Sequence, residues 1–235
     1  MKTLKGHLFM LLGCILGATG IAGAQNADST TVVCDTTVQW DEISFCMPGY
    51  TGMVQSSDLE QLQESIQQLE SGSNTVLAYY LTDSVYAHID LHQILGYDQY
   101  AIVFAIDAIK GLPVGPYELE YFFEAIQAAF DKQTWSDIAE TLEEEYDMMS
   151  FATPVVVENY SPQENVRTCV LLMDMEVQKS GINSKVTVCA AMDVINVKNR
   201  ALIMAYYEQY EGKKTIKATK AVNDVLVEKF VNANK

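Results

Sequence analysis

Basic side chains are scarce in this sequence: 15 Lys and Arg stand against 31 Asp and Glu, a formal net charge of −16 at pH 7. A surface with this excess of negative charge repels phosphate backbones and anionic lipids. We therefore expect no nucleic-acid partner and no binding to a membrane surface. A hydrophobic content of 49% is that of a folded globular chain, so the acidity lies on a folded body.

Several catalytic and cofactor signatures are also missing. The sequence has no Gly-x-Ser-x-Gly motif, no glycine-rich phosphate loop and no Cys-x-x-Cys pair. These absences argue against a serine hydrolase of that type, a nucleotide-binding loop and a redox or zinc site. Histidine occurs three times, and His7 lies near the start of the chain. We expect no cofactor.

The first 24 residues have the organisation of an export signal. Two lysines precede an apolar stretch over residues 8–21, and an Ala-Gly-Ala sequence then ends at Ala24. Small residues at this spacing are what signal peptidases recognise. We predict a signal peptide over residues 1–24, cleaved between Ala24 and Gln25, and an exported mature protein that is periplasmic or secreted.

Cys14 supports a competing interpretation. Leu11-Leu12-Gly13-Cys14 resembles the lipobox at which bacteria attach lipid to a cysteine. Cleavage there would leave an apolar core of about six residues, below the usual 7–15. Ordinary secretion is therefore favoured over a lipid anchor through Cys14. In either case we expect no transmembrane segment in the mature chain, because no later segment approaches about 20 uncharged apolar residues.

Four cysteines follow the leader: Cys34, Cys46, Cys169 and Cys189. An even number of cysteines in an exported chain favours disulfides. The first two flank a predicted tight turn, and the last two lie on strands that are predicted to pair. We predict the disulfides Cys34–Cys46 and Cys169–Cys189, with four buried free thiols as the alternative.

The apolar pattern predicts a single α+β domain over residues 25–235. Successive strands joined by short turns are typical of an antiparallel meander sheet, on which helices pack. A helix is predicted from Ser57, and a C-terminal helix from about Thr215. The predicted strands cover residues 31–38, 43–47, 75–81, 100–109, 155–160, 166–177, 185–194 and 200–210.

Residues 117–149 are predicted to form an acidic helical pair inserted in this domain. Between residues 118 and 147, ten Asp and Glu occur against Lys132 alone. Surfaces of opposite charge can guide self-association or docking on a protein partner, while the alternative is that exposed helices and turns carry solvated charge. The opposing basic residues of the carboxyl-terminal part are Lys198, Arg200, Lys213, Lys214, Lys217 and Lys220.

Two regions resemble the PsbP-like (photosystem extrinsic protein) group of exported proteins and related bacterial lipoproteins. One is the early hairpin that ends Ile43-Ser44-Phe45-Cys46-Met47-Pro48-Gly49-Tyr50. The other is the late strand Ala201–Gln209, which runs through Gly212 into the terminal helix. The resemblance implies an α+β fold and a group of binding and assembly proteins without shared catalytic residues. The acidic helical pair departs from a compact version of that fold.

His88 and His92 are the candidate metal ligands. On a helix, a spacing of four places two imidazoles on one face, as metal coordination requires. Two ligands do not complete a site, and the glutamate of the metalloprotease motif is absent. The alternative is a pair of surface histidines.

Tyrosine pairs suggest a different kind of site. On a strand, adjacent side chains face opposite sides, so we expect one ring of Tyr79-Tyr80 and of Tyr206-Tyr207 in the core and one outside. An exposed row of rings can bind a peptide or a glycan, and amphipathic sheet packing is the alternative.

These patterns favour a non-enzymatic exported protein that binds or assembles with another envelope or extracellular component. Such a protein predicts a flat sheet face or a sheet edge with scattered polar groups. The alternative is a secreted hydrolase with a carboxylate or histidine site. It predicts that His88, His92 and several acids converge in a concave pocket.

Overall fold

The computed structural model describes residues 34–63, 66, 70, 74–87, 99–131, 135–136, 139–140, 149–179 and 182–235. The predicted signal peptide, its cleavage between Ala24 and Gln25, and Cys14 lie outside these residues and stay predictions. No helix of the described part combines the length and the apolar composition that a membrane crossing requires.

Strands dominate the described residues. They are β1 Cys34–Trp40, β2 Ile43–Pro48, β3 Met53–Gln55, β4 Asn74–Thr82, β5 Gln99–Ile106, β6 Met149–Phe151, β7 Val155–Tyr160, β8 Val166–Lys179, β9 Ile182–Val197 and β10 Arg200–Gln209. The helices are α1 Asp83–Ala87, α2 Pro116–Ala129 and α3 Lys213–Ala233, with 3-10 turns at Glu60–Leu62 and Asp107–Ile109.

Eight of the strands form one antiparallel sheet in the order β3-β4-β5-β10-β9-β8, and both β6 and β7 pair with the far side of β8. The hairpin β1-β2 is a separate two-stranded sheet. The run β8-β9-β10 is the predicted meander, because each strand pairs with the next through a short turn. The α+β class, the antiparallel sheet and the C-terminal helix predicted from the sequence are confirmed.

Both faces of the large sheet are covered. We call the face that carries α2 the α2 face. The residues that cover its core are Leu119, Phe123 and Ile126 of α2, together with Leu62, Ile66 and Trp135. The opposite face, the α3 face, is covered by α3 and by the hairpin β1-β2, which contribute Phe45, Met47, Leu226, Val227, Phe230 and Val231.

The predicted exposure of the tyrosine pairs is wrong. Tyr79, Tyr80, Tyr206 and Tyr207 all keep 2% or less of their surface accessible. Alternate rings do face opposite sides of their strand, but each side meets a packed layer. On the α2 face, the Tyr100 ring stacks between Tyr79 at 5.4 Å and Tyr207 at 4.7 Å, measured between centroids.

The hairpin β1-β2 is closed by the predicted disulfide Cys34–Cys46, which the structure confirms. Its turn residues Asp41 and Glu42 have φ of 52° and 62°, the left-handed backbone that a two-residue hairpin turn requires. Asp41 forms an ion pair with Arg200. The hydrogen bond in this pair holds the pKa of Asp41 below its ordinary value and ties the hairpin to the start of β10.

The predicted disulfide Cys169–Cys189 is wrong. Both residues are buried free cysteines. The register pairs Cys169 with Met192 and Cys189 with Leu172, so the two are offset by three positions. An odd offset puts two side chains on opposite faces of a sheet. Cys169 accordingly packs on the α2 face, while Cys189 packs beneath α3 with Val170.

Three local predictions also need correction. The strand predicted to end at residue 109 ends at Ile106, and Met149, predicted to end a helix, begins β6. Ser57 does not start the predicted helix, because its Oγ accepts a hydrogen bond from the Tyr79 N–H at 2.8 Å and Leu59 precedes the helical residues. Ser57 therefore fastens this loop to β4.

Candidate binding surface

Strand β7 lies at an edge of the sheet. In the part of the chain that the structure describes, it pairs with β8 and with no other strand. The side chains of Val155, Val156 and Val157 keep 61%, 36% and 41% of their surface accessible. Valine favours an extended backbone because it is branched at Cβ, which accounts for the strand. An uncovered strand edge with apolar side chains is a template for pairing with another chain.

The end of β7 is held against α3. The Tyr160 hydroxyl donates a hydrogen bond to Asp224 Oδ1 at 2.8 Å, and Glu158 forms an ion pair with Lys220. Lys220 Nζ also lies 4.3 Å from the centroid of the Tyr160 ring, a cation–π distance. Burial and the hydrogen bond to Asp224 raise the pKa of Tyr160, so the phenol remains a neutral donor. These contacts fix α3 beside the edge strand.

One side of α3 faces β7. Lys213, Lys217, Lys220 and Asp224 follow one another at intervals of four, three and four residues, which places them on one side of a helix. Lys213 and Lys217 are exposed, and neither has an ion pair among the described residues. We call β7 together with Lys213, Lys217 and Lys220 the β7 surface. It combines an open strand edge, exposed valines and positive charge.

A buried carboxyl group lies beneath α3. Asp193 of β9 is completely buried, and its Oδ1 accepts hydrogen bonds from Thr168 Oγ1 at 2.5 Å and Asn223 Nδ2 at 3.0 Å. The Asp193 Oδ2 and Asn223 Oδ1 atoms have no hydrogen-bond partner among the described residues. Burial raises the pKa of Asp193 to about 7, although the two hydrogen bonds oppose the shift. A neutral carboxyl is the form that this apolar site stabilises.

A second carboxyl group holds the first half of α3. Glu208 of β10 accepts hydrogen bonds from Thr219 Oγ1 and Gln99 Nε2, each at 3.1 Å. Burial raises the pKa of Glu208. Thr219 and Asn223 are one helical turn apart, and hydrogen bonds are directional. The two carboxyl groups therefore fix the rotation of α3 about its axis, and with it the direction of the lysines.

The last turn of α3 is fastened to the hairpin. Asn234 Oδ1 accepts a hydrogen bond from the Cys46 N–H, and Asn234 Nδ2 donates to the Cys46 carbonyl, each at 2.8 Å. The Tyr50 hydroxyl donates to the Leu226 carbonyl at 3.2 Å. Both ends of the helix are thus held by specific polar contacts.

Only part of the predicted charge asymmetry lies in the described residues, because the acidic residues 137, 143–145 and 147 lie outside them. Glu118, Glu120 and Glu124 are exposed on α2, and Glu120 forms an ion pair with Arg167 at 2.7 Å. The basic residues divide into two groups. Arg200, Lys220 and Lys198 are engaged by Asp41, Glu158 and the Ser44 carbonyl, whereas Lys213, Lys214 and Lys217 extend from the start of α3.

The candidate metal ligands His88 and His92 lie outside the described residues. Within the described ranges, no group of three or more His, Cys, Asp or Glu is placed to hold a metal ion. A groove of about 320 Å³ runs between the start of α2 and the end of α3. Two of its amides make structural contacts, because Asn165 Nδ2 donates to the Asn196 carbonyl and Asn196 Nδ2 donates to the Val114 carbonyl, each at 2.8 Å.

Sequence reasoning missed two features of this region. Asp193 is the one charged residue in the apolar run 188–195, and an isolated acid in such a run is the pattern expected of a buried carboxyl. The three successive valines of β7 predicted a strand. Nothing in that run distinguishes a buried strand from an exposed edge, since periodicity is absent in both.

No protein-family model and no curated protein matches the sequence. The chain is similar to the crystal structure of the Saccharomyces cerevisiae Ran-binding protein Mog1p, with 13% identity and a TM-score of 0.32 over 81% of this chain and 86% of that one. A mutant of protein Mog1 gives 14% identity and a TM-score of 0.32 over 85% and 88%. Similarity at this level supports no conclusion about this chain. The resemblance to PsbP-like proteins stays a prediction.

Proposed function

We propose that this protein is an exported, non-enzymatic binding or assembly protein that holds a protein partner along the β7 surface. The observation that carries this proposal is the edge strand with three exposed valines. Backbone N–H and C=O groups along an open edge can pair with an added strand, which supplies affinity, while the neighbouring side chains supply specificity.

Two observations support export. The leader has the composition of a signal peptide, and a disulfide joins Cys34 to Cys46. Disulfides persist in oxidising compartments and are rare in reducing ones. We therefore expect the partner in the envelope or in the extracellular medium of the native host.

Site-specific photo-crosslinking in that host tests the proposal. A photoreactive side chain at Val157, which is 41% exposed, is compared with one at Leu112, which is 50% exposed on the segment before α2. We expect Val157 to give a discrete, saturable product with one protein, and Leu112 to give none with that protein. A Val156→Lys substitution, which charges the edge, should remove the product.

Equal product from both positions, or no product at Val157, would contradict the proposal. The alternative of a secreted hydrolase depends on a carboxylate site or on His88 and His92, and the two histidines lie outside the described residues. No described contact favours it, and it stays a prediction from the sequence.

A further inference from the structure

We infer, on the basis of that proposed function, that the partner contributes an extended segment with acidic side chains, which adds to β7 as a further strand next to Lys213 and Lys217. The segment alternates acidic residues, directed toward α3, with apolar residues directed toward the α2 face.

The first step is the relative direction of α3 and β7. Lys220 contacts Glu158, and Asp224 contacts Tyr160. Four helical residues advance by about 6 Å, and two strand residues advance by about 6.6 Å. The two elements therefore run parallel and in step. Continued back toward their starts, this alignment places Lys217 alongside the exposed valines and Lys213 one helical turn further back, beyond the start of β7.

The second step is the pleat. Across the ladder Val155, Glu158 and Tyr160 face Leu172, Val170 and Thr168 of β8. Val170 belongs to a small apolar cluster against which Ile216 of α3 packs, so these β7 side chains point to the α3 face. Val155 and Glu158 share a face although they are three residues apart, because Val157 is an extra residue in a bulge of the ladder. On either side of this bulge, the side chains of an added strand alternate between the two faces. Every second one then points toward the lysines of α3.

The third step is charge. Lys220 is already paired with Glu158, whereas Lys213 and Lys217 have no ion pair among the described residues. They are unpaired cations in a chain with a net charge of −16. Acidic side chains directed at them are attracted, and basic ones are repelled. The β7 surface is thus complementary to an acidic strand.

The same charges disfavour a second copy of this chain as the occupant. Antiparallel pairing of β7 with its own copy has a two-fold axis perpendicular to the sheet, because neighbouring strands of an antiparallel ladder are related in that way. Both α3 helices then lie on the same side and run in opposite directions, and a ladder centred on the exposed valines brings Lys217 of one copy toward Lys217 of the other. Like charges brought together in this way weaken the pairing.

Binding of synthetic peptides to the ¹⁵N-labelled protein tests this inference. The probe is Thr-Val-Glu-Val-Glu-Val-Glu-Thr with blocked ends, and its match has lysine in place of each glutamate. We expect the acidic peptide to shift the amide resonances of 155–160 and of the first turns of α3, and the lysine peptide to leave them unchanged. N-methylation of alternate amides on the acidic peptide should abolish its effect, because the ladder hydrogen bonds are then lost.

Two charge reversals on the same helix provide the matched control. Lys217 lies on the side of α3 that faces β7, while Lys214 is exposed on another side. Lys217→Glu should weaken binding of the acidic peptide about fivefold, because an attraction is replaced by a repulsion. Lys214→Glu should change it by less than about twofold, because more distant exposed charges are screened.

Equal effects of the two reversals, or equal binding of the lysine peptide, would overturn the acidic character of the segment. Unchanged binding of the N-methylated peptide would overturn strand addition. If Val157 crosslinks to a partner while the acidic peptide fails to bind, this inference is wrong and the proposed function stands. If Val157 captures nothing, the proposed function itself fails.

Discussion

The helices α2 and α3 cover opposite faces of one sheet by different means. Helix α2 is seated by apolar side chains, among them Leu119, Phe123 and Ile126. The first half of α3 is held by hydrogen bonds from Asn223 to the buried carboxyl of Asp193 and from Thr219 to the half-buried carboxyl of Glu208. Apolar burial has little directional preference, whereas hydrogen bonds have a strong one. The hydrogen bonds of Thr219 and Asn223 therefore determine which side of α3 faces β7.

The difference between the two helices gives the buried carboxyl of Asp193 a structural role, which is to orient α3. A buried carboxyl destabilises a fold unless it is hydrogen-bonded or neutral. Asp193 is both hydrogen-bonded and shifted toward the neutral form. The same hydrogen bonds hold α3 in the position where Lys220 and Asp224 contact Glu158 and Tyr160 of β7. The second half of α3 returns to apolar packing through residues such as Phe230.

The largest expected effect on stability comes from removing an apolar side chain that packs the second half of α3 against the sheet. Phe230 is completely buried, so Phe230→Ala should lower the free energy of unfolding by about 3–5 kcal/mol. Phe123→Ala on α2 is the matched change on the other face, where the residue is 6% exposed. Urea denaturation measures both. A loss below about 1 kcal/mol for Phe230→Ala would mean that α3 is not seated as described.

The next largest effect is the pH dependence of stability that the buried Asp193 beneath α3 should cause. The folded protein keeps the proton of Asp193 up to about pH 7, whereas its ordinary pKa is 3.8. Between these two pKa values the folded state binds more protons than the unfolded state. The contribution of Asp193 to the free energy of unfolding is therefore fully present below about pH 4 and is lost as the pH rises toward 7. In the Asp193→Asn variant, the decrease in the free energy of unfolding between about pH 4 and pH 7 should be smaller by roughly 2–4 kcal/mol. Urea unfolding at a series of pH values measures it.

Other titrating groups act on the same profile. The raised pKa of Glu208 contributes a fall in the same direction, while the lowered pKa of Asp41 contributes stability that is lost at acid pH. The charge of Asp224 also raises the pKa of Asp193, and the charge of Asp193 contributes to the raised pKa of Cys169 after burial. Subtracting the pH profile of the Asp193→Asn variant from that of the parent protein isolates the contribution of Asp193 to the free energy of unfolding. A parallel pair of profiles would show that Asp193 is ionised in the fold.

Reduction of the disulfide should have a smaller effect. Cys34 and Cys46 close a loop with a sequence separation of 12, and opening such a loop costs about 2–3 kcal/mol. The double substitution of both cysteines by serine should match the effect of the reductant. Because Cys169 and Cys189 are free, two thiols should react with a maleimide in the unfolded mature chain before reduction. No reactive thiol there would mean that a second disulfide forms.

The smallest expected effect on stability is at the β7 surface itself. Val157 is exposed at a strand edge, so Val157→Lys should change the free energy of unfolding by less than about 0.5 kcal/mol. The same substitution should abolish partner capture. Urea denaturation and crosslinking from a neighbouring position measure the two quantities. A large loss of stability would show that β7 is covered within the protein.

The elements were more predictable than their surroundings. β-branched residues gave the bounds of β7, and the start of the predicted helical pair lies within one residue of the start of α2. The disulfide Cys34–Cys46 followed from a short hairpin. The fate of Cys169 and Cys189 depended on strand register, where a shift of one residue moves a side chain to the other face. Sequence patterns do not fix register between long strands.

The candidate site was less predictable because it depends on what covers each face. Tyr80 and Tyr206 are buried since the hairpin and α3 pack over them, and no local pattern records a distant covering layer. The lysines at the start of α3 were recognised as a cluster. Their position beside β7 depends on the contacts of Lys220 and Asp224 with Glu158 and Tyr160, which lie more than 60 residues away in sequence.

Hydrogen exchange in the complex with the captured partner tests the central claim most directly. The backbone amides of 155–160 that do not bond to β8 should exchange fast in the protein alone and at least about tenfold more slowly in the complex, because an added strand accepts their hydrogen bonds. Exchange in α2 should be unchanged. Unchanged exchange over 155–160, with protection elsewhere, would contradict the assignment of β7 as the binding edge.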